Sequence, residues 1–222
     1  MIIPSIDLKR HRLPLAAGGF FFVILLITAI LWLMDSRGGS ALSLAESEDR
    51  EDRIKAADRL ADKSGAAAGK ALSDLTRDKD RWVAIRAVRS LAKSPDRRNR
   101  DVLRRIASDR SRRGRVRGEA AAQMGRFKES ASELTQVLAA EPDPEVRAGA
   151  AKGLAILRDQ ATIPQLVKAL EDKDEEVRRW AITGIHKMIV RRFSFNAKAP
   201  PGTQQHEIDR LKTYLRRCGV LD

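Results

Sequence analysis

The chain has 222 residues, with 43 Lys and Arg against 30 Asp and Glu, a formal net charge of +13 and a single cysteine. One Cys excludes a disulfide framework and any zinc site built on cysteines, both of which need at least two. Three histidines, His11, His186 and His206, leave little material for a His-built metal centre.

Residues 1–12 read as a basic N-terminal tail ending in Lys9-Arg10-His11-Arg12. Residues 13–34 carry no charge, and Leu15 to Met34 reads LAAGGFFFVILLITAILWLM. A helix of that length spans about 30 Å, the thickness of a bilayer's hydrocarbon core, so the run predicts a transmembrane helix. Each Asp, Lys or Arg inside such a run would oppose insertion by roughly 2.5–3.5 kcal/mol, and none is present. The competing reading is a cleaved signal peptide, whose apolar core is about 7–15 residues with a small-residue site close behind. Here the run is longer, and the best such site, Ser43-Leu44-Ala45, lies well past Met34; an uncleaved anchor is the reading adopted. The basic tail favours a cytoplasmic N-terminus and an extracytoplasmic repeat domain, periplasmic in a Gram-negative bacterium, although Arg37, Arg50 and Arg53 also follow the span closely. Residues 35–46 are Gly- and Ser-rich and read as a flexible linker. Residues 47–222 form the remaining domain.

That domain repeats. The clearest unit starts Asp143-Pro144-Glu145-Val146-Arg147-Ala148-Gly149-Ala150-Ala151 and runs to Leu154. Copies begin at Asp174, Arg115, Asp80 and, most degenerate, Asp52; the Asp80 copy has Ala84 where the others have Arg. The aligned large apolar positions Leu60, Leu91, Met124, Leu154 and Ile185 are 31, 33, 30 and 31 residues apart. Asp143 suits an N-cap, with Pro144 at N1 where its missing N–H costs nothing. Val146, Ala150 and Leu154 recur on one helical face. Asp143/Arg147 and Asp174/Arg178 read as i,i+4 surface pairs of about 0.2–0.5 kcal/mol each. A Leu-rich second helix follows in each unit, with Leu72 and Leu75, Leu103 and Ile106, Leu134 and Leu138, Leu166 and Leu170, and Leu211 and Leu215 as its apolar positions. Each stripe is too short to fold alone, so stacking is required.

The D-x-x-V-R-x-x-A-A-x-x-L pattern at a period near 31 resembles HEAT repeats, and is most similar to the short bacterial, phycobilisome-lyase HEAT-like kind. The resemblance covers about residues 47–217. It implies an all-α, right-handed solenoid of about five helical hairpins. It also implies that the second helices line the concave surface. Its matching residues are structural, so it says little about function.

Charge is concentrated. Residues 77–115 carry 15 Lys and Arg against five Asp, a net of +10, whereas residues 141–180 net −2. Arg97, Arg98, Arg100, Arg104 and Arg105 fall on or just before one second helix, and Arg110, Arg112, Arg113 and Arg115 on the loop after it. Guanidinium groups bind carboxylates and phosphates bidentately, so these nine are the candidate partner-binding residues, for an acidic protein surface first and an anionic lipid or polymer second. A merely solvated basic face is the plainer alternative. Nucleic acid is least favoured, because Trp82 is the stretch's only aromatic.

No catalytic, metal or cofactor-binding residues are expected. Two enzyme families resemble the repeat: deoxyhypusine hydroxylase, which carries several His-Glu dipeptides for a di-iron centre, and the phycobilisome bilin lyases. One dipeptide, His206-Glu207, does not build that centre, and no residue marks bilin binding. A lyase or metal-dependent oxidoreductase is therefore the last alternative. His186 reads as a helix-surface or rim residue, Cys218 as a free thiol, and Trp82 and Trp180 as packing groups at unit boundaries. The functional expectation is a membrane-anchored, non-enzymatic scaffold for protein–protein interaction.

Overall fold

The computed structural model describes residues 40–63, 66–93 and 97–221. Among them every regular element is helical: α1 (Ala41–Ala45), α2 (Arg50–Ala61), α3 (Ala66–Leu75), α4 (Arg81–Leu91), α5 (Arg97–Ser108), α6 (Gly114–Met124), α7 (Ala131–Ala140), α8 (Pro144–Leu157), α9 (Ile163–Ala169), α10 (Glu175–Met188) and α11 (Gln205–Arg217). Short 3-10 turns precede α7 and α9. None of these helices is long and apolar enough to cross a membrane. The expected anchor at 13–34 and its basic tail lie outside the described residues.

The period placed the core correctly. Leu60, Leu91, Met124, Leu154 and Ile185 are each at most 2% exposed. They sit on the even-numbered helices α2 to α10, which stack directly on one another along the chain. The pairing of helices differs from the sequence reading by one step. Helices α5, α7 and α9 pack chiefly against the even helix that follows each, not the one before. The structural hairpin is thus a Leu-rich helix, a short charged turn and then the Ala/Gly-rich helix. A periodic sequence has no marked beginning, so the period alone does not choose between the two pairings.

The linker reading is corrected at its end. Residues 41–45 form helix α1, with Ala41, Leu44 and Ala45 packed on the core. Their i, i+3, i+4 spacing makes one apolar stripe, which overrides the flexibility that Gly38, Gly39 and Ser40 suggest. At the other end, α11 closes the stack through Ile208, Leu211 and Leu215, and the Phe193 ring lies 5.4 Å from that of Tyr214. His186 is half-buried, in keeping with a rim position: its Nε2 accepts the Phe193 N–H at 3.1 Å. Burial, then the Arg192 charge, lowers its pKa from 6.5, which keeps the ring a neutral acceptor.

The repeated Arg does not make the i,i+4 pairs expected of it. Asp143 caps α8 by accepting the Glu145 N–H at 2.9 Å. Arg147 instead donates to both oxygens of Asp172, at 2.8 and 2.9 Å, and through Nη1 to the carbonyls of Glu141 and Pro142. Arg53 repeats this on Asp78 and on the carbonyls of Ser47 and Glu48. Arg178 binds the carbonyls of Asp172, Lys173, Ala197 and Ala199. Arg117 reaches Glu141 at 2.9 Å and the Ala107 carbonyl at 3.1 Å. Arg53, Arg147 and Arg178 therefore gather the turn before their own helix, Arg53 and Arg147 add the carboxylate 25 residues on, and Arg117 reaches back to the last turn of α5. Side chains on a helix lean toward its N-terminus, which carries the long Arg stem to the preceding turn instead of along the exposed face.

Candidate functional site

The even helices approach closely because glycine and alanine line their contacts. A Cβ at Gly118 would run into the Glu145 carbonyl, and one at Gly149 into the Gly118 carbonyl; one at Gly153 would lie 2.7 Å from the Ala121 carbonyl oxygen. Helices α6 and α8 thus touch backbone to backbone. Their outer face, with those of α4 and α10, forms a groove of about 430 Å³. The sequence reading put the binding face on the Leu-rich helices. The groove is on the opposite layer, because small residues let a layer of helices draw together while leucines hold theirs apart.

Trp82 and Trp180 stand at the two ends of this groove, with Ala122, Ala148 and Gly149 between them. Trp82 is 43% exposed, with Arg81 Cζ 5.0 Å from its ring centroid. Half-buried Trp180 has Lys152 Nζ at 5.4 Å and Arg179 Cζ at 5.0 Å. Trp180 packs against the core as the sequence suggested, whereas Trp82 is an exposed indole and not a packing group.

On the same face Glu119 accepts from Arg89 and Gln123, each at 2.8 Å, with Lys152 at 3.7 Å. Burial disfavours its charge, but those hydrogen bonds and the Lys152 charge outweigh it and hold the carboxyl below 4.5. Among the described residues Arg115 and Glu145, also on the groove wall, have no ion pair.

The nine candidate arginines do not form one patch. Arg97 opens α5. Arg98 is exposed. Arg100 is half-buried and 3.2 Å from Asp101. Arg104 lies 3.9 Å from Asp101 and 4.0 Å from Glu133, and Arg105 donates to the Asp101 carbonyl. Arg110 and Arg113 are exposed on the turn after α5, and Arg115 is on the groove layer.

Arg112 turns inward. Its side chain is 10% exposed, donating to Asp109 at 2.9 Å and to the Thr76 carbonyl and hydroxyl at 2.9 and 2.8 Å. Hydrogen bonds from Ser111 and then Arg112 hold Asp109 down to about 2. The reason is Ala84. An arginine there would reach the turn at residues 78–79 and the carboxylate 25 residues on, which is Asp109. With no guanidinium at that position, the longer turn after α5 brings Arg112 across to Asp109 and Thr76. The remaining gap, about 290 Å³, is lined by Thr76, Arg77, Asp78, Lys79, Ala84, Ser111, Arg112, Arg113 and Val116.

Among the described residues no group of three or more His, Cys, Asp or Glu is placed to hold a metal ion. Cys218 is an exposed free thiol.

A family model described as HEAT repeats matches residues 131–192. That span is α7 to α10, two structural hairpins in the pairing found above. No curated protein matches the chain. Among solved structures, the chain is similar to an engineered protein known from its crystal structure, at 23% identity over 67% of this chain and 78% of that one, with a TM-score of 0.41.

Proposed function

We propose that this chain is a non-enzymatic helical-repeat adaptor, held at a membrane by residues 13–34, that binds a polypeptide partner with an acidic surface. The observation that carries the reading is the groove across α4, α6, α8 and α10. Its two indoles offer large apolar area and N–H donors, the combination that anchors protein interfaces. A floor of small residues lets a guest backbone lie close. Arg115 on its wall, with exposed Arg98, Arg104, Arg105, Arg110 and Arg113 beyond, adds a positive field that speeds capture of an acidic partner. A basic tail before the span and a domain outside the cytoplasm complete the proposal.

The test is photo-crosslinking from the groove in native membranes, with the full chain. Trp82→Ala/Trp180→Ala is expected to lower the yield of one defined adduct at least tenfold while leaving the helical signal intact. Arg104→Glu/Arg105→Glu is expected to lower the yield less and to flatten its dependence on salt. Unchanged yield in both variants removes the reading.

The exposed arginines on and after α5 favour one second reading, contact with an anionic leaflet, where each surface-proximal cation contributes about 1 kcal/mol. Equal retention of the chain by neutral and anionic vesicles eliminates it.

A further inference from the structure

The gap at Ala84 lies within the basic sector and has a charge state of its own. Asp78 on its wall is already held by Arg53 at 2.6 Å. Arg112 is held by Asp109 and Thr76, and Arg77 is shared with Asp109 at 3.5 Å. Two cations remain, Lys79 on the turn before α4 and Arg113 on the turn before α6. Both are exposed, both line the gap, and neither has an ion pair or side-chain hydrogen bond among the described residues. Where the neighbouring repeats place a guanidinium of their own, this one leaves a concave space rimmed by unneutralised positive charge.

An incoming cation is disfavoured there. Both nearby carboxylates have guanidinium partners, and four of the nine lining residues are basic. A single carboxylate would neutralise one of the two unpaired cations. A phosphomonoester, which carries close to two charges at neutral pH and three acceptor oxygens, matches both.

We propose that the Ala84 gap is a binding site for a phosphomonoester dianion borne by the polypeptide partner, with Lys79 and Arg113 as its donors. This rests on the adaptor reading above and names the chemistry that the partner presents. A polypeptide source is favoured over a lipid headgroup by continuity. Arg113 lines the gap and Arg115 lines the Trp-walled groove, two residues apart at the start of α6, so a segment seated in the groove passes within reach of the gap.

The experiment is calorimetric titration of the full chain in detergent with inorganic phosphate, against potassium chloride at matched ionic strength. Phosphate is expected to bind saturably, and Lys79→Gln/Arg113→Gln to weaken it at least tenfold. Ala84→Arg, which fills the gap, is expected to abolish binding; should that variant not fold, the glutamine pair carries the test alone. Arg104→Gln/Arg105→Gln, outside the gap, is expected to leave phosphate affinity within twofold. Phosphate affinity unchanged in the glutamine pair overturns the site, whether or not groove crosslinking persists, so failure here is distinct from failure of the adaptor reading. A phosphoserine peptide is expected to bind more tightly than its unphosphorylated form. Tighter retention by phosphatidic acid vesicles than by that peptide, lost in the glutamine pair, overturns the polypeptide source.

Discussion

Replacing Gly149 by valine is expected to destabilise the domain by about 3 kcal/mol, the upper part of the usual range for overpacking. Any Cβ at this position meets the Gly118 carbonyl, and a Cβ at Gly118 meets the Glu145 carbonyl. These neighbours are backbone, which does not rotate aside as the end of a side chain would. Helices α6 and α8 must therefore separate, and separation uncovers Ala150 and Leu154, both fully buried. The groove floor would widen with it, so groove crosslinking should fall together with stability. Gly69 supplies the contrast. It lies within α3, and a Cβ there finds nothing within 4 Å. Gly69→Ala should stabilise by about 0.4–1 kcal/mol through helix propensity and a less free unfolded chain. Urea unfolding followed by circular dichroism reads both. Equal midpoints for Gly149→Val and the parent would refute the backbone contact.

The second large effect is expected at Arg147. Arg147→Met keeps much of the stem but removes a guanidinium that binds Asp172 twice and two turn carbonyls. The loss should be about 3 kcal/mol, the lower end for breaking a buried pair, because Asp172 stays mostly buried and loses both guanidinium bonds, keeping the Asp174 N–H. The acid response follows from the same contacts. Burial opposes the Asp172 charge, but the Arg147 hydrogen bonds and the Asp174 N–H prevail and hold its carboxyl below 3.8. Asp80 is likewise lowered, and Asp109 lies at about 2. A carboxyl whose folded pKa is depressed contributes stability above its unfolded value, and that contribution is lost as pH falls through the folded value. The parent should therefore weaken steadily from about pH 4 toward pH 2. In Arg147→Met the largest cause that lowers Asp172 is lost, leaving the Asp174 N–H and the Arg178 charge, so its urea midpoint should change less between pH 7 and pH 3. An acid limb as steep as the parent's would show that Arg147 does not set the Asp172 charge.

Helix periodicity is a local property, and it was legible. Spacings near 31 located the buried Leu60, Leu91, Met124, Leu154 and Ile185, and Asp143 was readable as the cap of α8. The HEAT repeats match over 131–192 agrees with the pattern quoted for that part of the chain. Pairing was not legible, because a period is unchanged when its starting point moves by one helix. Nor was the destination of Arg147 or Arg178. An i,i+4 carboxylate is near in sequence, but the acceptors used come from the turns before and after, which only stacking brings to one place.

The basic sector shows the same division most sharply. Composition alone established that residues 77–115 hold an excess of ten positive charges. It also established that one repeat has Ala84 where its neighbours have Arg. Which of those cations are free to meet a partner was decided by the fold. Arg112 is drawn inward to Asp109 and Thr76, Arg115 joins the groove, and Lys79 and Arg113 are left facing a gap. Charge is additive along a chain, so a sequence yields its total. Neutralisation acts over a few ångströms between groups far apart in the chain, so its pattern exists only once the helices are stacked.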